Sequence, residues 1–330
     1  MSGSDISGFD AENAELQTFV RFAFLRQPLA ALLSACTVAD LDLIVLKGAA
    51  LAETVYPSPS QRPFGDLDAL VRAEDASRAF TLLTELGYVC DADAWAELEQ
   101  GRSCEANFFR HVAPGTVVVE LHTDLLNNPL LRRQVRVDGD GLWKRARPAK
   151  LAGQDARVLG PEDQIFHLCL HLAGHYFAAP KSVQDIAQVC RVQTVDWPLF
   201  VSICRDAHAE TIGYCGLFAA ADKYGTEVPA FVLEALAPRS PQHLERLVTG
   251  SGAEPLSEAA RFRLLWRFLD RPEAKLFAVR HLLFPNRAWL HAHYFYDLPE
   301  TALDRRLPIG VRLYACHIKF LGTALLRIRK

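Results

Sequence analysis

The chain has eight cysteines but no Cys-x-x-Cys pair, so no zinc ribbon or dithiol motif is written in it. Neither Gly-x-x-x-x-Gly-Lys-[Ser/Thr] nor Gly-x-Gly-x-x-Gly occurs, and P-loop and dinucleotide-binding readings fail on the residues. No run of about eighteen apolar residues marks a membrane span. The acidic N-terminus lacks a signal-peptide pattern. There is no internal repeat and no low-complexity tract. Net charge is also small, −3 at pH 7 over 330 residues, which argues against coating long nucleic acid by bulk electrostatics. Cys36, Cys90, Cys104, Cys169, Cys190, Cys204, Cys215 and Cys316 lie largely in apolar, helix-like runs. Cys90 and Cys104 have no His or Asp at a nucleophile spacing. These cysteines read as free thiols of a reducing compartment, and a cytoplasmic protein is expected. The basic, amphipathic end Leu325–Lys330 fits cations completing a last helical turn.

What is present is a globular composition, 50% hydrophobic and 23% charged, with length for one large domain or two ordinary ones. Apolar residues recur at helical spacing from Ala11 to Ala39, with Pro28 expected to split or kink the run. Leu41–Leu46 reads as a buried strand, residues 48–56 as a helix ended by Pro57 and Pro59, and Leu67–Val71 as a second strand. Glu74–Leu86 is an amphipathic helix stopped by Gly87, and Tyr88–Cys90 a short strand. Asn107–Val112 and Thr116–His122 form a hairpin around Pro114-Gly115. Beyond Pro148 the pattern turns helical, starting at Pro161-Glu162-Asp163. Asp138–Arg157 reads as the connection. The expected organisation is α/β with a mixed sheet followed by an all-α part: N-terminal helices over 1–40, an α/β domain over 41–147 and a helical domain over 148–330.

Chemistry concentrates in the first half. An apolar strand ends at Lys47-Gly48, a turn that lets backbone amides approach a phosphate at a helix N-terminus. Asp66 and Asp68 share one face of the next strand. Two adjacent carboxylates repel unless a cation lies between them, and hard oxygen ligands of this kind suit Mg²⁺ completed by substrate phosphates. Lys47 and Arg62 can meet phosphate charge. Glu120, on the valine-rich run Val117–Leu121, is costly to bury unless paired or ligating. It shares a face with His122, and with Asp66 and Asp68 it completes a carboxylate triad for a metal. In the helical half, His167, His171 and His175 recur every four residues, with Asp185 on the following helix. They can face the cleft, pack between helices, or hold a metal; a middle reading has His171 and Lys181 contacting donor phosphates. The aromatic run Trp289–Tyr296 reads as core packing or as a wall for a base.

The pattern Leu46-Lys47-Gly48, Tyr56, Arg62, Asp66-Leu67-Asp68-Ala69-Leu70-Val71 and Glu120-Leu121-His122 resembles the uncharacterised nucleotidyltransferase family, a branch of the DNA polymerase β-like nucleotidyltransferase superfamily. Leu168–His171, Val183–Ile186 and Phe284–Leu290 look similar to it as well. The resemblance implies a nucleotidyltransferase-fold lobe with a mixed sheet and an all-α C-terminal lobe. It implies an enzyme moving a nucleotidyl group from a nucleoside triphosphate such as ATP, with Mg²⁺ (or Mn²⁺) on Asp66, Asp68 and Glu120. Gly48 would belong to the phosphate-contacting turn. The expected partners are a nucleotide donor and a small-molecule, peptide or protein acceptor. The superfamily's usual Gly-Ser turn is Lys47-Gly48 here, followed by Ala49-Ala50, which removes a hydroxyl contact to the triphosphate. That leaves sugar transfer from a nucleotide-sugar open; the other rivals are a helical metallohydrolase on His167, His171, His175 and Asp185, and a non-catalytic nucleotide-binding or interaction module.

Overall fold

The computed structural model describes residues 3–250, 258–269, 271–285, 290 and 308–328. Two compact units result, Met1–Pro255 and Leu256–Lys330. In the first, seven strands form one mixed sheet. They are β1 (Ile44–Val45), β2 (Leu67–Leu70), β3 (Val89–Cys90), β4 (Glu105–Val112), β5 (Gly115–His122), β6 (Arg147–Leu151) and β7 (Gln154–Val158). Their order is β3-β4-β5-β2-β1-β7-β6. Strands β2 and β5 run parallel, as do β1 and β7, while the other neighbours are antiparallel.

The period of two divides the central strands between two tasks. Leu67, Ala69, Ala106, Phe108, Val117, Val119 and Leu121 are buried in one apolar cluster. That face is covered by helices α1 (Gly3–Val38) and, after a short α2 (Lys47–Thr54), α3 (Ala76–Glu85). Leu25, Leu29, Leu32, Leu33 and Cys36 of α1 join the same cluster, with Ala76, Ala79, Leu82 and Leu83 of α3. The alternate positions, Asp68, Glu105, Asn107, Glu120 and His122, carry the polar residues on the opposite face.

Several expectations need correction. Pro28 does not split the first helix, which runs continuously from Gly3 to Val38 with Pro28 inside. Burial of Leu25, Leu29, Leu32 and Leu33, each at most 3% exposed, offsets the lost backbone hydrogen bond. Within it, Leu16–Val38 is long and apolar enough to cross a membrane by length and composition alone. Packing of the later leucines on the sheet accounts for the apolar character of that part, whereas Leu16, Phe19 and Val20 are exposed. Asp138–Arg157 is not a bare connection. It holds α5 (Gly139–Arg145), strand β6 and most of β7, so the sheet continues past residue 147. A further helix, α4 (Ala92–Glu99), was not expected. It is capped by Asp91, whose carboxylate accepts from the amides of Asp93 and Ala94.

The same compact unit carries α6 (Pro161–Gly174), α7 (Pro180–Val192), α8 (Trp197–Asp206) and α9 (Glu210–Tyr224), followed by shorter helices at Ala230–Leu236 and Pro241–Gly250. Pro161 sits at the first position of α6 with Glu162 and Asp163 in its first turn, which suits the helix dipole. Arg145 closes a two-pronged ion pair on Asp163 at 2.7 and 2.8 Å. All eight cysteines are free. The second unit holds helices Glu258–Phe268, Pro272–Leu283 and Ile309–Ile328. Leu264, Phe268, Ala274, Ala278 and Leu313 are buried there, and His317 Nε2 lies 2.6 Å from the Leu282 carbonyl oxygen. The aromatic run Trp289–Tyr296 lies outside the described residues apart from Leu290.

Candidate metal centre

The site lies at the middle of the sheet, where parallel pairing of β2 with β5 sets Asp68 opposite Glu120 and Leu70 opposite His122. Asp68 is 3% and His122 4% exposed. Their ligand atoms and one from Glu120 all lie within 4.8 Å of one another. His122 Nε2 is 3.1 Å from Asp68 Oδ1 and 3.6 Å from Glu120 Oε2. Among the described residues this is where three potential metal ligands converge.

Lys47 supplies the cation within this cluster. It is the first residue of α2 and holds a left-handed backbone, φ +42°, a conformation that a non-glycine residue adopts at some cost. Its Nζ donates to Asp68 Oδ1 at 2.6 Å and lies 4.0 Å from Glu120 Oε2. Burial alone would push the Asp68 carboxyl up, but the Lys47 ammonium and His122 override it and hold it well below the usual carboxylate range. Burial would lower Lys47, and Asp68 above all raises it instead. Burial would likewise lower His122; hydrogen bonds to Asp68 and Glu120 outweigh it and bring the imidazole to about 8. Asp66 stands just before β2, half-buried. Burial raises its carboxyl, and the negative charges of Asp68 and Glu120 raise it further, against Lys47. Asp66 therefore feels the same centre, although it is not one of the three convergent ligands.

The other expected site residues are placed differently. The Arg62 guanidinium is occupied: Nε and Nη2 donate to Asp185 of α7 at 2.6 and 2.7 Å, and Nη1 donates to the Pro63 carbonyl. Tyr56 donates to the same carboxylate at 2.7 Å. Asp185 is fully buried and ties the loop before β2 to the helical layer. This also withdraws it from the histidine ladder. Gly48 is buried in α2, where an added Cβ would overlap the Cβ of Phe64, so its need for glycine is a close approach to that ring. His167 is buried, with neither ring nitrogen partnered. Burial pushes it well down, and the positive field of Lys47 adds to this. His171 is brought to about 3, by burial first and Lys47 second. The ladder thus faces the cluster as neutral imidazoles and grows more exposed toward His175. Lys181 is exposed in the first turn of α7, and no contact joins it to the cluster.

Two residues on β4 escaped the sequence reading. Antiparallel pairing with β5 puts Asn107 opposite Glu120 and Glu105 opposite His122. Glu105 Oε2 is 3.7 Å from His122 Nδ1. The buried Oδ1 of Asn107 has no hydrogen-bond partner. The signal was in the hairpin itself, because the turn at Pro114-Gly115 fixes which residues face each other.

A mixed sheet bearing Asp68 on one central strand with Asp66 just before it, a third acid and a histidine on the parallel neighbour, and a lysine at a strand-helix turn gathers carboxylates and potential metal ligands around one point. A divalent ion fits the donors present. Asp68 and Glu120 can serve as hard oxygen ligands, Asp66 adds negative charge close by, and the unpartnered Asn107 oxygen belongs to a residue on the same face. The chain belongs to the uncharacterised nucleotidyltransferase family, whose model matches residues 10–225. The match takes in the sheet and helices α6 to α9 and does not reach Phe284–Leu290. No curated protein and no solved structure matches the chain.

Proposed function

We propose that the protein transfers a nucleotidyl group from a nucleoside triphosphate to an acceptor hydroxyl, in a Mg²⁺-dependent reaction. One observation carries the reading: Asp68, Glu120 and Lys47 converge on a single buried point of the sheet, beside Asp66. When bound, a divalent ion supplies charge neutralisation and orientation of the donor phosphates. Asp66, Asp68 and Glu120 would hold it. Lys47, released from Asp68, meets the negative charge of the triphosphate. The acceptor oxygen bonds to the α-phosphorus, the bond from that phosphorus to the bridging oxygen breaks, and pyrophosphate leaves. Glu120, more exposed than Asp68 at 25% against 4% of its side chain, takes the hydroxyl proton. The neutral His167 and His171 line the helical side without adding cationic charge.

The test is a thermal-shift screen of nucleoside triphosphates and nucleotide-sugars, each with and without Mg²⁺ or Mn²⁺, followed by mass spectrometry of the modified acceptor. Mg²⁺-dependent stabilisation by a triphosphate, lost in Asp68→Asn, is expected. A mass gain of a sugar instead of a nucleotide refutes the reaction, and no stabilisation by any donor with either Mg²⁺ or Mn²⁺ refutes the reading.

A further inference from the structure

We infer that the metal centre includes nitrogen. His122 Nε2 is a metal ligand, Glu105 is the positioning residue that aims it, and Asn107 Oδ1 is an additional oxygen ligand. The site therefore favours Mn²⁺ over Mg²⁺. This deepens the nucleotidyl-transfer reading and rests on it only in taking the cluster as a metal site.

The geometry comes from β4. In one row across the sheet stand Asp68, Glu120 and Asn107; in the next stand His122 and Glu105. His122 is buried and sits between carboxylates on both ring nitrogens: Nε2 toward Asp68 at 3.1 Å and Glu120 at 3.6 Å, Nδ1 toward Glu105 at 3.7 Å. A histidine that ligates a metal commonly donates its other ring N–H to a carboxylate, which fixes the tautomer and ring orientation. Glu105 is in that position, on the side away from Asp68. Asn107 adds the second, independent observation. Its carbonyl oxygen is buried in the row of Asp68 and Glu120 and accepts no hydrogen bond, a cost that coordination would remove.

Donor type then decides the ion. Mg²⁺ takes oxygen ligands in a strict octahedron and keeps its waters. Imidazole nitrogen is accepted far more readily by first-row transition ions, among which Mn²⁺ also takes carboxylate and carbonyl oxygen. One imidazole and one amide carbonyl beside the site's carboxylates make a set that favours Mn²⁺ over Mg²⁺.

The experiment uses the full-length protein without a histidine tag and Mn²⁺ alone as the probe, with electron spin-echo modulation to detect nitrogen bound to the ion. One bound Mn²⁺ coupled to histidine nitrogen is expected, with the coupling altered by ¹⁵N-histidine labelling. Competition should show Mn²⁺ binding at least about 10-fold more tightly than Mg²⁺. His122→Ala should abolish the coupling. Glu105→Gln should keep it and weaken Mn²⁺ binding by about 10-fold or more, the usual effect of losing an outer-shell partner. Bound Mn²⁺ without nitrogen coupling overturns the inference and leaves the nucleotidyl-transfer reading standing on the carboxylates. Nitrogen coupling that survives in His122→Ala also overturns it. Should His122→Ala not fold, the labelled wild type and Glu105→Gln decide alone. Failure to bind either ion, with no triphosphate stabilisation, overturns both.

Discussion

Replacing Lys47 by methionine removes one charge and little volume. The Nζ stands 2.6 Å from Asp68 Oδ1, a separation worth roughly 6 kcal/mol of gross attraction at an effective dielectric of about 20. Most of that is offset by taking both groups out of water. The relevant quantity is the cost of leaving Asp68, 3% exposed, without its main partner. Breaking a buried pair from one side costs about 3–5 kcal/mol. His122 remains 3.1 Å away and carries part of the compensation, so the lower end, about 3 kcal/mol, is expected. In a unit of this size that lowers the melting temperature by about 6–12 °C. Calorimetry in metal-free buffer measures it. A second readout follows from competition for one oxygen. In the wild type a divalent cation must displace the ammonium, whereas in Lys47→Met it need not. Mn²⁺ should therefore bind the variant about 10-fold more tightly, a gain of about 1.4 kcal/mol, and restore much of the lost melting temperature. A variant that melts within about 1 °C of the wild type and binds Mn²⁺ no better would show that the ammonium does not neutralise the site.

Three further outcomes are expected. Asp185→Ala strands the buried Arg62 and should cost about 3–5 kcal/mol in urea unfolding, with Asp185→Asn milder because it can still accept from Tyr56 and Arg62. Gly48→Ala drives a methyl into Phe64 and should cost about 1–3 kcal/mol, relieved when Phe64→Ala is added. His171 is near 3 when folded against an ordinary 6.5. Its folded value is depressed, so the stability it protects is fully present above pH 6.5 and is lost as pH falls toward 3, where the unfolded chain takes up the proton first. Between pH 6.5 and 4.5 that amounts to about 2–3 kcal/mol at 1.36 kcal/mol per unit. Unfolding of His171→Gln at both pH values should show a loss smaller by this amount.

Much of the site was legible because strand alternation and pairing are arithmetic. Asp68, Glu120 and His122 could be put on one face from the period of two. A hairpin turning at Pro114-Gly115 pairs Val112 with Gly115, and hence Asn107 with Glu120; the same sum would have exposed β4. The β6–β7 hairpin was hidden by its own edge character. β6 is the outermost strand and carries Pro148 and Lys150, residues that protect an edge from further pairing and also make it look like a linker. Its turn uses Ala152 and Gly153, both at positive φ, without the Asn-Gly that announces such turns. Arg62 was assigned to phosphate because its partner Asp185 lies 123 residues away. No local pattern marks a contact at that distance.

The anchoring of Arg62 and Tyr56 on Asp185 also bears on how this protein can diverge. The segment leading into β2 and helix α7 are fastened at a point where neither side satisfies itself. A descendant that kept the sheet and exchanged its helical layer would inherit a buried guanidinium with no counter-charge, and would lose the fold before it gained new chemistry. Sheet and helices must travel together through gene rearrangement. New specificity then has to arise by drift on exposed surfaces around a fixed joint, with Asp185 and Arg62 changing only as a pair.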